Sequence, residues 1–371
     1  MLGLGLVAGL AAVPVAAAHE TTSTGGLARW HGGVLALAGI GTVGAAVAAR
    51  RTAGVSAAAA LRGVLLGLAV AALGVTLFDG LSPDPVYTAG SIPFSRSWYA
   101  PVALVTGLSV VVTSFVVGWL RWPGRPRYAF LGIVLGLWIA YPYLLPETSH
   151  THPLGYAIVL VTPLLVGYIL RTDAGDALRA IRRDPVARRF GAGVAVVTAL
   201  FFLTITGYLS FLPEEGMPHE TTVVVLPVIY QLVTWPTLEV VLPHVPLFLA
   251  VSPGQIVVVG VLSGLVGVNA GVIARRWRVE ERAGLTQGTA GTVAVVGSCT
   301  CGCCGPLVAK VAVLAAGPSV AAPLYWVFVD AASPLSTVFV VAGIVLFVAS
   351  LLYSIRTAEW TDRSSADSSP A

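Results

Sequence analysis

The chain has 371 residues, of which 56% are hydrophobic and only 10% are charged. Soluble domains carry about 25% charged residues, so this composition excludes an ordinary soluble protein. The formal net charge of +4 does not indicate a nucleic-acid partner, because the arginines lie in short loops between apolar runs. Most of these runs are long enough to cross a ~30 Å hydrocarbon core as a helix. We therefore predict an all-α, polytopic integral membrane bundle in the cell membrane, with the lipid bilayer as its surroundings.

The two ends of the chain differ from the apolar middle. Residues 1–18 form an apolar stretch that ends in small residues, which is typical of a signal peptide or of an uncleaved first transmembrane helix. Residues 19–356 then form a single multi-pass membrane domain. Residues 357–371 are rich in serine and aspartate, and we predict a disordered polar tail on the cytoplasmic side.

Hydropathy and arginine placement together predict the topology. Arginine-rich and arginine-poor loops alternate along the chain, which is the positive-inside pattern, and the richest inner loop is 171–189. The count is about nine spans after the signal, or about eleven if one interrupted apolar segment crosses fully. The predicted spans are about 31–49, 62–78, 100–120, 128–145, 154–170, 190–212, 255–274, 286–315 and 333–355.

Two segments in the C-terminal half predict discontinuous or re-entrant structure. Residues 221–251 are apolar but are cut by four prolines into pieces too short to span upright, so we expect a broken helical hairpin that enters from outside and returns. Residues 286–315 contain Gly302, Gly305 and Pro306, which interrupt a helix about halfway across. Broken helices of this kind line the substrate path of many transporters.

All four cysteines of the chain lie within six positions of this second segment: Cys299, Cys301, Cys303 and Cys304. Such a cluster excludes a disulfide framework between distant loops. Thiolates select soft or borderline ions such as Cu(I), Zn(II) or Hg(II), whereas the C-x-x-C spacing of Cys301 and Cys304 also suits a redox pair. A third interpretation is that the cysteines are small apolar side chains packed in a helix.

The sequence Cys303-Cys304-Gly305-Pro306-Leu307 resembles the first helix of the mercuric-ion transporters of the MerT type. The resemblance covers about ten residues, and those proteins are much shorter and lack counterparts of Cys299 and Cys301. It implies a thiol site that accepts a soft metal ion within the membrane.

Two charged residues flank the cysteines inside apolar sequence. Lys310 follows Cys303 by seven residues, and Asp330 ends the next apolar piece. A lone charge in the bilayer costs about 3 kcal/mol on insertion scales, so we expect these two residues to pair. Lys310 then either favours thiolate over thiol or serves a proton path, or the pair is only structural. Glu239 in the interrupted segment is a third candidate.

The predicted topology puts all six histidines at or near the outer face. His150 and His152 form a local pair, and His219 with Glu220 adds nitrogen and oxygen ligands of the kind that zinc and copper accept. We take His19, His150, His152 and His219 as candidate metal ligands. The alternative is that these loop histidines never meet in space.

These patterns favour a membrane transporter or metal-handling protein for a soft transition-metal ion, copper above others, rather than an enzyme. The alternatives are a thiol–disulfide oxidoreductase that uses Cys301 and Cys304, and a non-catalytic membrane subunit or scaffold. No phosphate-loop or dinucleotide fingerprint occurs, so we expect no nucleotide cofactor. Partnership in a membrane complex or a homo-oligomer stays open.

Overall fold

The computed structural model describes residues 28–82, 95–145, 149–211, 220–244, 247–282 and 333–367, with side chains described up to residue 356. In chain order the described elements are α1 (Arg29–Thr52), α2 (Ala57–Gly80), a 3-10 turn (Arg96–Trp98), α3 (Tyr99–Arg121), α4 (Pro126–Leu144), α5 (Pro153–Asp173), α6 (Gly175–Arg183), α7 (Pro185–Ile205), β1 (Leu209–Ser210), β2 (Thr222–Tyr230), β3 (Val233–Leu242), β4 (Leu247–Val251), α8 (Pro253–Arg282) and α9 (Pro334–Asp367).

Eight of the described helices, all except α6, are long and apolar enough to cross a membrane. They correspond to eight of the nine predicted spans, which agrees with a helical multi-pass membrane protein. The ninth predicted span, 286–315, lies outside the described residues, as does the predicted signal segment 1–18. Exposed apolar side chains cover the outside of these helices, as expected where lipid is the surroundings.

Glycines bring neighbouring helices into close contact. A Cβ atom built on Gly39 of α1 would lie 2.3 Å from the backbone nitrogen of Ala71 in α2, and one on Gly74 would lie 2.2 Å from that of Ala36. Gly107 in α3 and Gly136 in α4 are related in the same way, each directed at the other's carbonyl oxygen. Small residues permit this approach, and packing of this kind drives helix association in lipid.

The helix ends separate into two groups. Arg50 at the end of α1 donates to the carbonyl oxygen of Trp277 in α8 at 2.9 Å, and the amide of Ala57 at the start of α2 donates to Glu281 at 3.1 Å. These ends belong to the arginine-rich side, which we call the inner end. The opposite ends, with the α4–α5 connection and the strands, form the outer end.

Helices α8 and α9 run in the same direction. Asn269 of α8 donates to the carbonyl oxygen of Phe347 in α9 at 3.2 Å, and Arg276, two turns further on, donates to that of Ser354, also two turns further on. Both helices therefore begin at the outer end and finish at the inner end. The 3-10 turn before α3 lies at the same end as the start of α9. Trp98 of this turn and Pro334, the first residue of α9, line one apolar cavity of about 260 Å³.

The prediction of a broken helical hairpin over 221–251 is wrong. These residues form three strands, which with β1 make an antiparallel sheet in the order β1-β4-β3-β2 at the outer end. The physical reason is the run of β-branched residues from Thr222 to Ile229, which favours extended backbone. The all-α prediction is corrected accordingly to a helical bundle with a small outer sheet, and the eleven-span alternative loses its basis.

Strands β2 and β3 form a hairpin whose prolines stand opposite each other. Pro227 pairs with Pro236 in the register, and the two-residue turn is Gln231-Leu232. Gln231 has a φ of 58°, the left-handed conformation that tight hairpin turns require at their first position. The turn is inserted into the bundle, with Leu232 and Val233 fully buried.

Two further helical segments differ from expectation. The predicted inner loop 171–189 contains the nine-residue helix α6, whose Ile181 is buried against the bundle while its arginines are exposed. Helix α9 continues to Asp367, past residue 356 where the predicted membrane domain ends.

Candidate outer-face site

Most of the predicted site residues lie outside the described residues. These are Cys299, Cys301, Cys303, Cys304, His19, His219, Lys310 and Asp330. Of the candidate metal ligands, His150 and His152 are described, and both lie at the end opposite the arginine-rich one. Within the described ranges no group of three His, Cys, Asp or Glu side chains is close enough together to hold a metal ion.

His150 is fastened to the turn of the β2–β3 hairpin. Its Nδ1 lies 3.3 Å from the carbonyl oxygen of Leu232, and its own carbonyl oxygen accepts from the amide of Thr234 at 2.8 Å. The ring is otherwise exposed. His150 is therefore held in position at the protein surface, with Nε2 as the ring nitrogen available to an external ligand.

His152 caps the first turn of α5. Its Nδ1 accepts a hydrogen bond from the amide of Leu154 at 3.2 Å, so the neutral ring carries its proton on Nε2. A metal at Nε2 would replace that proton and leave the cap in place. The two histidines thus share an end of the molecule, and each uses Nδ1 locally.

Tyrosines, which the sequence reasoning did not single out, anchor the loop and the hairpin. Tyr141 of α4 donates to the carbonyl oxygen of Ser149 at 2.5 Å, and Tyr156 of α5 donates to that of Thr234 at 2.5 Å. Tyr156 also packs edge to face on Trp235, with ring centroids 5.0 Å apart. Both hydroxyls satisfy backbone carbonyls, so Tyr141 ties Ser149 to α4 and Tyr156 ties the hairpin to α5.

A second aromatic pair joins Tyr208, the residue before β1, to Tyr230, the last residue of β2. Tyr208 and Tyr230 pack edge to face at 5.6 Å, and burial raises the pKa of both hydroxyls above the usual value near 10. Gln255 hydrogen-bonds Tyr208 and partly opposes the shift of its pKa. Both hydroxyls are therefore neutral at physiological pH and offer hydrogen bonds rather than charge.

The start of α8 is fixed by a reciprocal capping box. The amide of Ser252 donates to Oε1 of Gln255 at 2.8 Å, and the amide of Gln255 donates to Oγ of Ser252 at 3.2 Å. This arrangement satisfies helix-terminal donors in a buried position. Ser252 directly follows β4, so the sheet is joined to the membrane bundle by a single residue.

Glu239, the third charged candidate, lies in β3 opposite Val224 and Ala250. It belongs to the antiparallel sheet and not to the broken helical hairpin that the sequence predicted. Polar side chains also join some of the spans to one another. Thr76 of α2 and Thr204 of α7 lie 3.1 Å apart through their hydroxyls, and Asn269 links α8 to α9.

The inner end is held by ion pairs of a buried carboxylate, Asp173, and a partly exposed one, Glu280. Asp173 at the end of α5 accepts two hydrogen bonds from Arg127 of α4, at 2.6 and 2.5 Å, and its side chain is 9% exposed. Glu280 pairs with Arg50 at 3.2 Å, while the Arg50 guanidinium stacks over Trp277. Bidentate and stacked arginines of this type give geometric specificity that lysine does not.

The fold and the outer-face geometry define a helical multi-pass membrane protein with an outer antiparallel sheet docked on its transmembrane bundle. No protein-family model, no curated protein and no solved structure matches the chain.

Proposed function

We propose that the protein is a membrane transporter or metal-handling protein for a soft transition-metal ion, with copper as the favoured substrate. The observation that carries this proposal is the parallel course of α8 and α9. Arg282 closes α8 at the inner end, and Ser333 precedes α9 at the outer end, so the connection that contains the four cysteines begins on one side and finishes on the other.

Thiol chemistry on such a connection suits the passage of a soft ion. Cys299, Cys301, Cys303 and Cys304 supply thiolates, which bind Cu(I) in preference to hard cations. Lys310 favours the thiolate form and Asp330 balances its charge. The outer histidines His150 and His152, with His19 and His219, capture the ion before it reaches the thiolates.

The proposal is tested by elemental analysis of the purified protein, kept reduced, beside a variant with all four cysteines replaced by serine. We expect near-stoichiometric copper in the parent protein and its loss in the variant. The control variant is His31→Ala. His31 lies at the outer end, where it caps α1, and it is not one of the proposed ligands, so this variant should keep its copper. Equal metal content in the parent and the cysteine-free protein would refute the proposal.

A second candidate, a thiol–disulfide oxidoreductase, rests on the C-x-x-C spacing of Cys301 and Cys304. Trapping of free thiols before and after mild oxidation distinguishes it from metal handling. A reversible Cys301–Cys304 disulfide in metal-free protein favours the redox function. Absence of both metal and disulfide leaves the role of a non-catalytic subunit.

A further inference from the structure

The inner end carries a cluster of exposed arginines that no part of the proposed function uses. They lie in the last turn of α5, in α6 and in the first turns of α7, and all six side chains are exposed. We call this cluster the arginine surface: Arg171, Arg179, Arg182, Arg183, Arg188 and Arg189. Its six guanidiniums come from only nineteen residues of chain, 171–189.

The orientation of α6 is fixed by its apolar side. Ile181 is buried and packs against Gly271 of α8, within the cluster that contains Ala187 and Phe190 of α7. In a helix, residues 179, 182 and 183 lie within about one third of the circumference, on the side away from Ile181. The charged side of α6 therefore points away from the protein.

The carboxylates near the arginine surface are already engaged elsewhere. Asp173 is bound by Arg127, and Asp184 caps α7 by accepting from the amides of Val186 and Ala187 at 2.9 and 3.2 Å. Asp176 pairs with Arg179, but its side chain is 91% exposed, so the pair is weak in water. The positive charge of the surface is therefore largely uncompensated within the described residues.

The position of this surface decides which anions it meets. Helix α5 ends at Asp173 and helix α7 begins at Pro185, and both are candidate membrane spans. The arginine surface therefore lies at the level where the inner leaflet exposes its headgroups. Guanidinium binds phosphate through two parallel hydrogen bonds, and polybasic surfaces next to the membrane attract anionic lipids.

We propose that the arginine surface binds the headgroup phosphates of anionic phospholipids in the inner leaflet. This binding is independent of any metal or thiol chemistry. It requires clustered guanidiniums at one place and not merely the positive charge of the inner end, which has further exposed arginines such as Arg62, Arg121 and Arg275.

The test uses the full-length purified protein in detergent and measures retained lipid by native mass spectrometry. The protein is offered phosphatidylglycerol and phosphatidylcholine with the same acyl chains. The variant is R179Q/R182Q/R183Q, and the control R62Q/R121Q/R275Q removes the same charge from the same end. We expect the parent and the control to prefer phosphatidylglycerol, and the preference to fall at least tenfold in the variant.

Three results overturn the proposal. The first is an unchanged lipid preference in R179Q/R182Q/R183Q, and the second is an equal loss in the control, which would mean a diffuse charge effect. The third is full displacement of phosphatidylglycerol by sodium phosphate but not by sodium chloride of equal ionic strength, which would indicate a soluble phosphate ligand. If the triple variant does not fold, R182Q/R183Q replaces it, with an expected loss of at least threefold.

Discussion

The close approach of α1 and α2 predicts a large effect from a single methyl group. In Gly39→Ala the new Cβ would lie 2.3 Å from the backbone nitrogen of Ala71, whereas ordinary contact begins at 3.4 Å. The obstacle is backbone, so no side chain can rotate away and the helices must separate by about 1 Å. Overpacking of this kind costs about 1–3 kcal/mol.

The same helix contains a matched control. Gly41 has nothing within 4 Å of the position where a Cβ would stand. Gly41→Ala gains the same helix propensity as Gly39→Ala, about 1 kcal/mol, without the clash. The difference between the two variants therefore isolates the packing effect, and we expect Gly39→Ala to be less stable than Gly41→Ala by about 1–3 kcal/mol.

The assay is the unfolding free energy in lipid bicelles, followed by loss of helical circular dichroism during denaturant titration. Gly74→Ala, whose Cβ would lie 2.2 Å from the nitrogen of Ala36, provides an independent repeat from the opposite helix. If both close-contact variants are as stable as Gly41→Ala, then α1 and α2 do not approach as described.

Three other predictions concern the ends of the bundle. Asp173→Asn leaves Arg127 at a largely buried site without its carboxylate and is expected to cost about 2–3 kcal/mol of unfolding free energy; the double variant Asp173→Asn with Arg127→Gln should recover part of this loss, and no recovery would contradict the pairing. Gln231→Gly relieves the positive φ of the hairpin turn and should stabilise the protein by up to about 1 kcal/mol, whereas destabilisation would show that the Gln231 side chain matters more. The pKa of Tyr230 is raised in the folded protein. The neutral Tyr230 hydroxyl therefore contributes to the unfolding free energy in full below about pH 10, and this contribution is lost as the pH rises towards the raised pKa. Tyr230→Phe should therefore flatten the fall in unfolding free energy above about pH 10, and an unchanged slope there would argue against this assignment.

The sequence predicted the membrane spans well because hydropathy and loop charge measure the same physical constraint. An uninterrupted apolar helix needs no partner to satisfy its backbone, so spans such as Ala57–Gly80 are evident from composition. The inner position of the arginines follows from the same pattern. The glycine contacts between α1 and α2 were not predictable, since they depend on which faces of two helices meet.

The sheet was missed because prolines were interpreted as breaks in a helix. Thr222–Tyr230 has the β-branched content of a strand, but its apolar residues do not alternate with polar ones and its Gln-Leu turn lacks the usual Asn-Gly or Asp-Gly signal. For the candidate site, loop charge predicted that His150 and His152 lie at the end opposite the arginine-rich loops. It did not give their attachment to Leu232 and Leu154, which arises from tertiary contacts.

The opposed prolines of the hairpin have a consequence for how the outer sheet ends. Since neither Pro227 nor Pro236 has an N–H, their pair cannot be a hydrogen-bonded one, and the backbone of Pro227 must point away from β3. Strand β2 is one of the two edges of the described sheet, and Val223, Val225 and Ile229 are more than half exposed on it. Such a strand would otherwise invite intermolecular strand addition and aggregation. Proline removes the donor at its centre, so an incoming strand loses a hydrogen bond there and growth of the sheet stops at β2.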